Sequence, residues 1–331
     1  MRKSQKRIMI QHLFNKATNV LVITHVDPDG DAIGSLTAVG QLLKQDGKHV
    51  TLVCDDRVPE RFAYLPMADQ VRQTPDPKLY YDLLVVVDCG DEGRMGNAYA
   101  NFSQPLPTVV NIDHHVTNTR FGDIQVIDDK ATSTTEILYG LFTELGYEIT
   151  EGVAMSLLTG LVTDTLGFRT VGVSANTMKV ASALMDAGAD LSFVTTNALI
   201  VKPITTLRLW QVGLNGLQLE NKLAWAAIPL VDQLAIGFKG QSSMGLVNLL
   251  ADVDEVAMGA VLMEIEGGRI RVGFRCRPPY NVAAVAEKLG GGGHFLAAGC
   301  TLEEPLADAT ARVVALCKEA IQQQGEPSLV S

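Results

Sequence analysis

The sequence predicts a doubly wound α/β domain with a mainly parallel sheet, followed by a second, smaller α+β domain. In the first half, short apolar runs alternate with helical patterns, which is typical of strands joined by crossover helices. These apolar runs are continuous, as expected for a parallel sheet covered on both faces. After about residue 190, strands and helices follow one another in mixed order.

The first half is expected to contain a sheet and several helices. Ile33, Leu36, Val39 and Leu43 form one apolar stripe and Gly47 follows it, so residues 31–46 are predicted to form a helix. The N-terminus is interpreted as an amphipathic helix. The other predicted helices are 132–145, 151–164 and 174–187, and the predicted strands are 20–24, 50–53, 83–87, 108–112 and 125–127.

The length of 331 residues favours two domains, at roughly 150 residues each. We predict a first domain over residues 1–190, a linker over 191–210 and a second domain over 211–331. The second domain is expected to have strands near 222–229, 256–264 and 269–276, and helices near 244–251, 281–289 and 307–323.

Composition excludes several classes of protein. The net charge of −10 and the lack of a basic run argue against binding of duplex DNA. No apolar run approaches the roughly 18 residues of a membrane helix, and no signal peptide is predicted. The five cysteines form no CxxC pair, which favours the cytoplasm over an oxidising compartment.

Acidic residues and histidines follow the predicted strands at the edge where such sheets bind ligands. Four segments carry them: His25 to Asp31, Asp88 to Asp91, Asp113 to His115, and Thr163 to Thr165 at a helix end. Each alone has a plainer interpretation, because Asp and Gly are common in turns and caps. Their joint occurrence at one edge favours a functional site.

So many carboxylates close together would repel one another unless a cation offset their charge. Oxygen ligands with a minority of imidazoles suit Mn²⁺, Mg²⁺, Fe²⁺ or Co²⁺. One ion cannot use all of these groups, whereas two ions about 3.5–4 Å apart, bridged by a carboxylate, could do so. The expected chemistry is hydrolysis of a phosphoester.

These motifs resemble those of the DHH phosphoesterase family. The family's first motif, HxxxDxD, matches His25, Asp29 and Asp31, and its second matches Asp88 after an apolar strand. The third is Asp113-His114-His115, and the fourth matches Asp164. The resemblance covers about residues 18–190, which would make residues 1–190 the metal-binding catalytic domain.

The resemblance implies a role for each residue. His25, Asp29 and Asp88 would hold one metal ion, and the second ion would be held by Asp31, Asp88, His114 and Asp164. His115 would face the substrate phosphate, and Asp113 would support the histidines, so that Asp88, Asp113 and His115 form the catalytic set. Manganese is the expected metal, with Mg²⁺ and Co²⁺ as alternatives.

The second domain resembles the DHH-associated domain with its GGGH signature. Glycine lets backbone approach a ligand closely, and backbone amides can bind an anion. The substrate-binding residues implied there are Arg275 on a strand, then Gly291, Gly292, Gly293 and His294. Taken in isolation, a run of glycines is typical of a flexible loop.

The combination looks most like the bacterial nanoRNase/pAp phosphatase branch of the family. That branch implies hydrolysis of very short single-stranded RNA to mononucleotides, removal of phosphate from pAp, or both. A phosphodiesterase for cyclic or linear dinucleotides (c-di-AMP or pApA) is the alternative, and a nucleotide-binding module without activity is a third. A homodimer is left open.

Residues 132–136 are predicted to form a helix N-cap, because hydroxyl residues are preferred there. Anion binding at the same helix start is the alternative.

Overall fold

The computed structural model describes residues 3–102, 105–240 and 242–325. The chain forms two compact units, residues 1–201 and residues 202–331.

The first unit contains a five-stranded sheet with helices before, between and after its strands. Its elements are α1 (Lys3–Lys16), β1 (Asn19–Ile23), α2 (Gly30–Gln45), β2 (His49–Val53), β3 (Leu83–Val87), α3 (Asn97–Ala100), β4 (Thr108–Asp113), β5 (Ile124–Ile127), α4 (Thr134–Leu145), α5 (Glu151–Asp164), α6 (Ala175–Asp186) and α7 (Leu191–Thr195).

All five strands are parallel, in the order β2-β1-β3-β4-β5. Alternate residues of β1 belong to different cores: Val20 and Val22 pack in one cluster, and Leu21 and Ile23 in another. Both faces of the sheet are therefore covered, which explains the continuous apolar runs. The predicted α/β fold with a mainly parallel sheet is confirmed.

Helices α2 and α5 pack against each other at positions that only glycine allows. A Cβ atom at Gly34 would lie 2.5 Å from the carbonyl oxygen of Ser156. A Cβ atom at Gly160 would lie 2.5 Å from Asp31 Oδ1 and would also meet the side chain of Thr135. This close packing brings the start of α2, with its acidic residues, against the end of α5.

The stretch predicted as a linker is largely helical. After α7, residues 196–200 form a π-helical turn, and only residues 201–203 lie outside helices before the second unit's first helix. Apolar residues such as Val194 and Ala198 are buried in the core of the first unit. Their burial accounts for the order of this segment.

The second unit contains a six-stranded mixed sheet. Its elements are α8 (Ile204–Asn215), β6 (Gln218–Glu220), β7 (Leu223–Ile228), α9 (Leu230–Ala235), α10 (Leu246–Ala251), β8 (Met258–Ile265), β9 (Arg269–Cys276), α11 (Ala283–Lys288), β10 (Gly292–His294), β11 (Ala297–Leu302) and α12 (Leu306–Gly325). The strand order is β10-β11-β9-β8-β7-β6, with β7 and β8 parallel and the other pairs antiparallel.

The glycine run is not a loop. Gly292–His294 form β10, the outer strand of the sheet, which pairs with β11. Gly290 has φ +76 after α11, and a Cβ atom at Gly291 would lie 2.2 Å from the carbonyl oxygen of Gly299. The run therefore combines a turn with a close approach to β11. A side chain would be disfavoured at Gly290 by its positive φ, and at Gly291 it would clash with β11.

The five cysteines are buried free thiols: Cys54, Cys89, Cys276, Cys300 and Cys317. Within the described residues, none of the helices is both long enough and apolar enough to cross a membrane.

Candidate metal centre

Three of the four predicted segments leave the carboxyl ends of neighbouring strands. His25 to Asp31 follow β1, Asp88 follows β3, and Asp113 ends β4. In a sheet of this strand order, the crevice for ligands opens between β1 and β3, where the connections turn to opposite sides. Asp164, at the end of α5, completes the set.

Ligand atoms from these segments come together in three groups, each with all atoms within 4.8 Å of one another. The first group is His25, Asp29 and Asp88; the second is Asp31, His114 and Asp164; the third is Asp88, His114 and His115. The six residues predicted as metal ligands are hereafter called the carboxyl-edge cluster: His25, Asp29, Asp31, Asp88, His114 and Asp164.

Asp88 lies between the two sides of the cluster. Its Oδ2 lies 3.4 Å from His25 Nε2, and its Oδ1 lies 3.7 Å from His114 Nε2. The side chain is buried, and the backbone has φ +54, a left-handed conformation that is uncommon for residues other than glycine. Each carboxylate oxygen therefore faces a different imidazole.

Both histidines of the cluster are oriented by main-chain carbonyl groups. His25 Nδ1 lies 2.7 Å from Val26 O, and His114 Nδ1 lies 3.4 Å from Ala131 O. With each Nδ1 bonded to a carbonyl group, Nε2 faces the acids; His114 Nε2 lies 3.2 Å from Asp164 Oδ2. Such outer partners are usual for metal-binding histidines.

Burial and mutual repulsion shift the pKa values of the acids in different directions. Burial and the charges of Asp88 and Asp164 raise the pKa of Asp31 well above its usual range. Burial also raises the pKa of Asp164, to about 7, although its hydrogen bond with His114 opposes the shift. For Asp88, burial is outweighed by His25 and His114, and the pKa is lowered.

The pKa values of the two imidazoles are raised, although burial alone would lower them. Burial alone would lower the pKa of His25, but Asp88 and Asp29 raise it to about 9. Burial likewise opposes the shift of His114, whose pKa is raised to about 10 by Asp164, Asp31 and Asp88. The acids attract positive charge strongly enough to hold protons where a cation would bind.

His115 forms a pair with Asp113 beside the cluster. Its Nδ1 donates to Asp113 Oδ1 at 2.7 Å, and this bond raises the pKa of His115. Asn118 was not predicted; its amide donates to Asp113 Oδ2 at 2.6 Å and links this loop to Cys89 O. Asp113 is thus held from both sides.

Asp29 and the start of α4 show how helix ends serve the cluster. Asp29 caps α2, because its Oδ1 accepts from Asp31 N and Ala32 N. The predicted N-cap of α4 is confirmed at Ser133, whose side chain accepts from Glu136 N. At this helix start, the carboxyl group of Asp31 accepts hydrogen bonds from the main-chain amides of Thr134 and Thr135.

The donor set fits divalent metal ions. Four carboxylates and two imidazoles combine hard oxygen ligands with a minority of nitrogen, and the described groups contain no cysteine. Asp88 and His114 each belong to two of the three groups. The cluster therefore has the composition of a site for divalent metal.

Of the residues predicted to bind substrate in the second unit, Gly292, Gly293 and His294 lie on the edge strand β10, Arg275 lies on β9, and Gly291 precedes β10. His294 on β10 is opposite Ala297 on β11, which in turn is opposite Arg275 on β9. Residues opposite one another share a face, so His294 and Arg275 flank the small Ala297. Gly292, Gly299 and Gly273 form a parallel row without side chains. These six residues are hereafter called the outer-strand face.

Family models match both units. The DHH family N-terminal domain matches residues 19–161, and the DHHA1 domain matches residues 230–323.

Similar proteins match nearly the whole chain. "Bifunctional oligoribonuclease and PAP phosphatase NrnA" of Thermus thermophilus is 33% identical over 92% of this chain and 91% of its own length. "Cyclic-di-AMP phosphodiesterase PdeA" of Listeria monocytogenes is 25% identical over 89% of this chain but only 46% of its own length.

The fold also matches a crystal structure of "an exopolyphosphatase-related protein" from Bacteroides fragilis. The TM-score is 0.91 at 20% identity, covering 98% of this chain and all of the other. The family resemblance inferred from the motifs is confirmed. Because the sequence match runs through nearly the whole chain and both family domains occur in order, the chain belongs to the DHH family and has a DHHA1 domain as its C-terminal part.

Proposed function

We propose that this protein is a metal-dependent phosphoesterase that hydrolyses very short RNA to mononucleotides and removes phosphate from pAp. The observation that carries the proposal is the position of Asp88 between His25 and His114. Its two oxygens face opposite sides of the carboxyl-edge cluster. The substrate class is supported by the name of the Thermus thermophilus relative, which matches over almost the full length of both chains.

Two Mn²⁺ ions are the proposed cofactors, with Mg²⁺ or Co²⁺ as substitutes. One would be held by His25, Asp29 and Asp88, and the other by Asp31, Asp88, His114 and Asp164. When bound, such ions supply positive charge beside the phosphoryl group and make water a stronger acid.

The remaining chemistry belongs to side chains of the chain itself. Asp113 fixes His115, and the hydrogen bond between them raises the pKa of His115, which favours the protonated imidazole. A protonated imidazole here would stabilise charge on the phosphate or donate a proton to the leaving ribose oxygen. Arg275 and His294 of the outer-strand face would bind the phosphate or base of the substrate.

The alternative substrate is a cyclic or linear dinucleotide of another type. It is less well supported, because the chain spans about half the length of the Listeria monocytogenes phosphodiesterase that it matches. An inactive nucleotide-binding module is disfavoured by the presence of every expected ligand at the cluster.

The test is hydrolysis of a 5′-labelled RNA dinucleotide with Mn²⁺, alongside pAp and a cyclic dinucleotide. Loss of the shared ligand in Asp88→Ala should lower the rate by about a thousandfold or more, because a bound metal contributes several kcal/mol to the transition state. Asp91→Ala removes an exposed carboxylate from the same loop and should stay within about threefold of the parent.

Each outcome has a separate meaning. Cleavage of the dinucleotide and pAp by the parent, lost in Asp88→Ala alone, supports the proposal. Turnover of the cyclic substrate alone would overturn the substrate class and keep the chemistry. Equal activity of Asp88→Ala and the parent would overturn the assignment of the metal ligands.

A further inference from the structure

The segment from Ala131 to Thr135 contacts three residues of the carboxyl-edge cluster, although none of its side chains was predicted as a ligand. Ala131 O accepts from His114 Nδ1, and the amides of Thr134 and Thr135 donate to Asp31. These contacts reach ligands from two different motifs. They fix a histidine and a carboxylate through main-chain atoms alone.

Asp88, the third residue of the cluster that this segment contacts, is bound by a side chain. Thr134 Oγ1 donates to Asp88 Oδ1 at 2.9 Å. Thr134 has no exposed surface and Asp88 is 1% exposed, so water cannot easily replace this bond. A buried carboxylate oxygen without a partner is costly, which makes the hydroxyl important at this position.

The hydrogen bond also determines how the Asp88 carboxylate is turned. With Oδ1 held by Thr134, Oδ2 points to His25 Nε2 at 3.4 Å. The backbone of Asp88 is in the left-handed region, a strained conformation that persists only where surrounding contacts hold it. The Thr134 hydroxyl is one of those contacts.

The segment is itself fixed from its other side. Glu136 Oε2 accepts from both Thr132 N, at 2.9 Å, and Thr132 Oγ1, at 2.6 Å. Its Oε1 accepts from Asn176 Nδ2 of α6 at 2.7 Å. Thr134 is therefore held on a rigid part of the fold rather than on a mobile loop.

We propose that Thr134 is a positioning residue, whose hydroxyl holds the Asp88 carboxylate in the rotation that lets its two oxygens serve two metal ions. The proposal rests on the proposed function, because it assumes that Asp88 bridges two ions. Thr134 is not itself a metal ligand. Its hydroxyl is expected to act on the affinity for metal, and through that on catalysis.

Two substitutions separate the hydroxyl from the shape of the side chain. Thr134→Val replaces the hydroxyl with a methyl group of similar size and keeps the amide that binds Asp31. Thr134→Ser keeps the hydroxyl and loses the methyl group. Thr37→Val is the matched control, because Thr37 is also fully buried in this unit and its hydroxyl bonds Ile33 O and Ser156 Oγ.

The experiment is calorimetric titration of each metal-free protein with Mn²⁺. Loss of an outer partner usually weakens metal binding 10–100-fold, so Thr134→Val should bind Mn²⁺ about 10–100-fold more weakly than the parent. Thr134→Ser and Thr37→Val should stay within about threefold of the parent. Thermal melting of the metal-free proteins shows whether each variant is folded. Thr37→Val gives the loss of thermal stability that is expected when one buried hydroxyl is removed.

The outcomes distinguish this inference from the proposed function. If the parent binds no Mn²⁺, the proposed function fails. If the parent binds Mn²⁺ and hydrolyses the dinucleotide while Thr134→Val binds as tightly, the positioning role fails alone. A loss in Thr134→Val that Thr134→Ser does not restore, or an equal loss in Thr37→Val, would also overturn it.

Discussion

The carboxyl-edge cluster and the outer-strand face present polar groups in opposite ways. In the cluster, Asp31 and Asp88 are buried, and each contacts several partners from other segments. On the outer-strand face, His294 is exposed and Arg275 is half-buried, with glycine and alanine between and beside them.

This difference suggests that replacements in the two regions should have different effects. A buried ligand depends on its neighbours, so that its replacement should affect metal binding and folding together. A residue on an exposed face has fewer partners to lose, so that its replacement should affect substrate binding and little else. Four predictions test this contrast, from the largest expected effect to the smallest.

Among these four, the largest effect is expected from Asp31→Asn. Both carboxylate oxygens accept main-chain amides, and asparagine has only one oxygen to offer. One amide would lose its partner, at a cost of about 1–3 kcal/mol, and one metal ion would lose a charged ligand. We expect kcat to fall by about a hundredfold or more, with KM for the dinucleotide within about threefold. A variant that kept a tenth of the parent's kcat would contradict the contrast.

Removal of metal should lower the stability of the first unit. A ligand at a hundred times its Kd stabilises the folded state by about 2.7 kcal/mol. For a unit of this size, dialysis against EDTA should therefore lower Tm by roughly 5–10 °C, and Mn²⁺ should restore it. Asp31→Asn should show a smaller response. Identical melting curves with and without Mn²⁺ would show that the cluster holds no cation.

On the outer-strand face, Arg275→Ala should raise KM and spare kcat. A hydrogen bond to a charged group contributes about 1.5–3 kcal/mol, so KM for the dinucleotide should rise about 10–100-fold. Arg269→Ala removes an exposed arginine from the same strand and should change KM less than about twofold. Steady-state kinetics would reject the role of this face if both variants behaved alike.

The smallest effect is expected from Gly292→Ala. A Cβ atom there meets nothing within 4 Å, so the free energy of unfolding should change by less than about 0.5 kcal/mol. KM should rise only about threefold if substrate covers this surface. Gly293→Ala is the contrasting variant, because its φ of +144 and the 2.6 Å approach to Ala297 O both exclude a side chain. Denaturant unfolding should separate the two variants.

The sequence predicted most of the first unit because its strands and helices carry strong local patterns. Helix α2 was expected at residues 31–46 and lies at Gly30–Gln45; the expected strand 83–87 is Leu83–Val87. Segments that follow parallel strands must meet at one edge, so that the four segments of the cluster could be predicted from the strand pattern. The individual ligands within those segments were implied by the resemblance to the DHH family. The cytoplasmic location, the lack of duplex DNA binding and the oligomeric state stay predictions.

What could not be predicted depends on contacts between distant segments. Strand β10 consists of glycine and histidine, which have no local strand preference, and it forms only because β11 pairs with it. The hydroxyl of Thr134 was recognised as part of a helix start, but its contact with Asp88 joins residues 46 positions apart. The Asn118 amide that supports Asp113 was likewise missed, because asparagine is common in turns.

The burial of all five cysteines has a practical consequence. Burial raises the pKa of Cys54 and of Cys89 in the first unit to about 12, and likewise that of Cys317 in the second unit. Since alkylation requires an accessible thiolate, the native protein should be inert to iodoacetamide. Mass spectrometry after a short pulse of this reagent would then record which unit opens first, using thiols that the chain already carries.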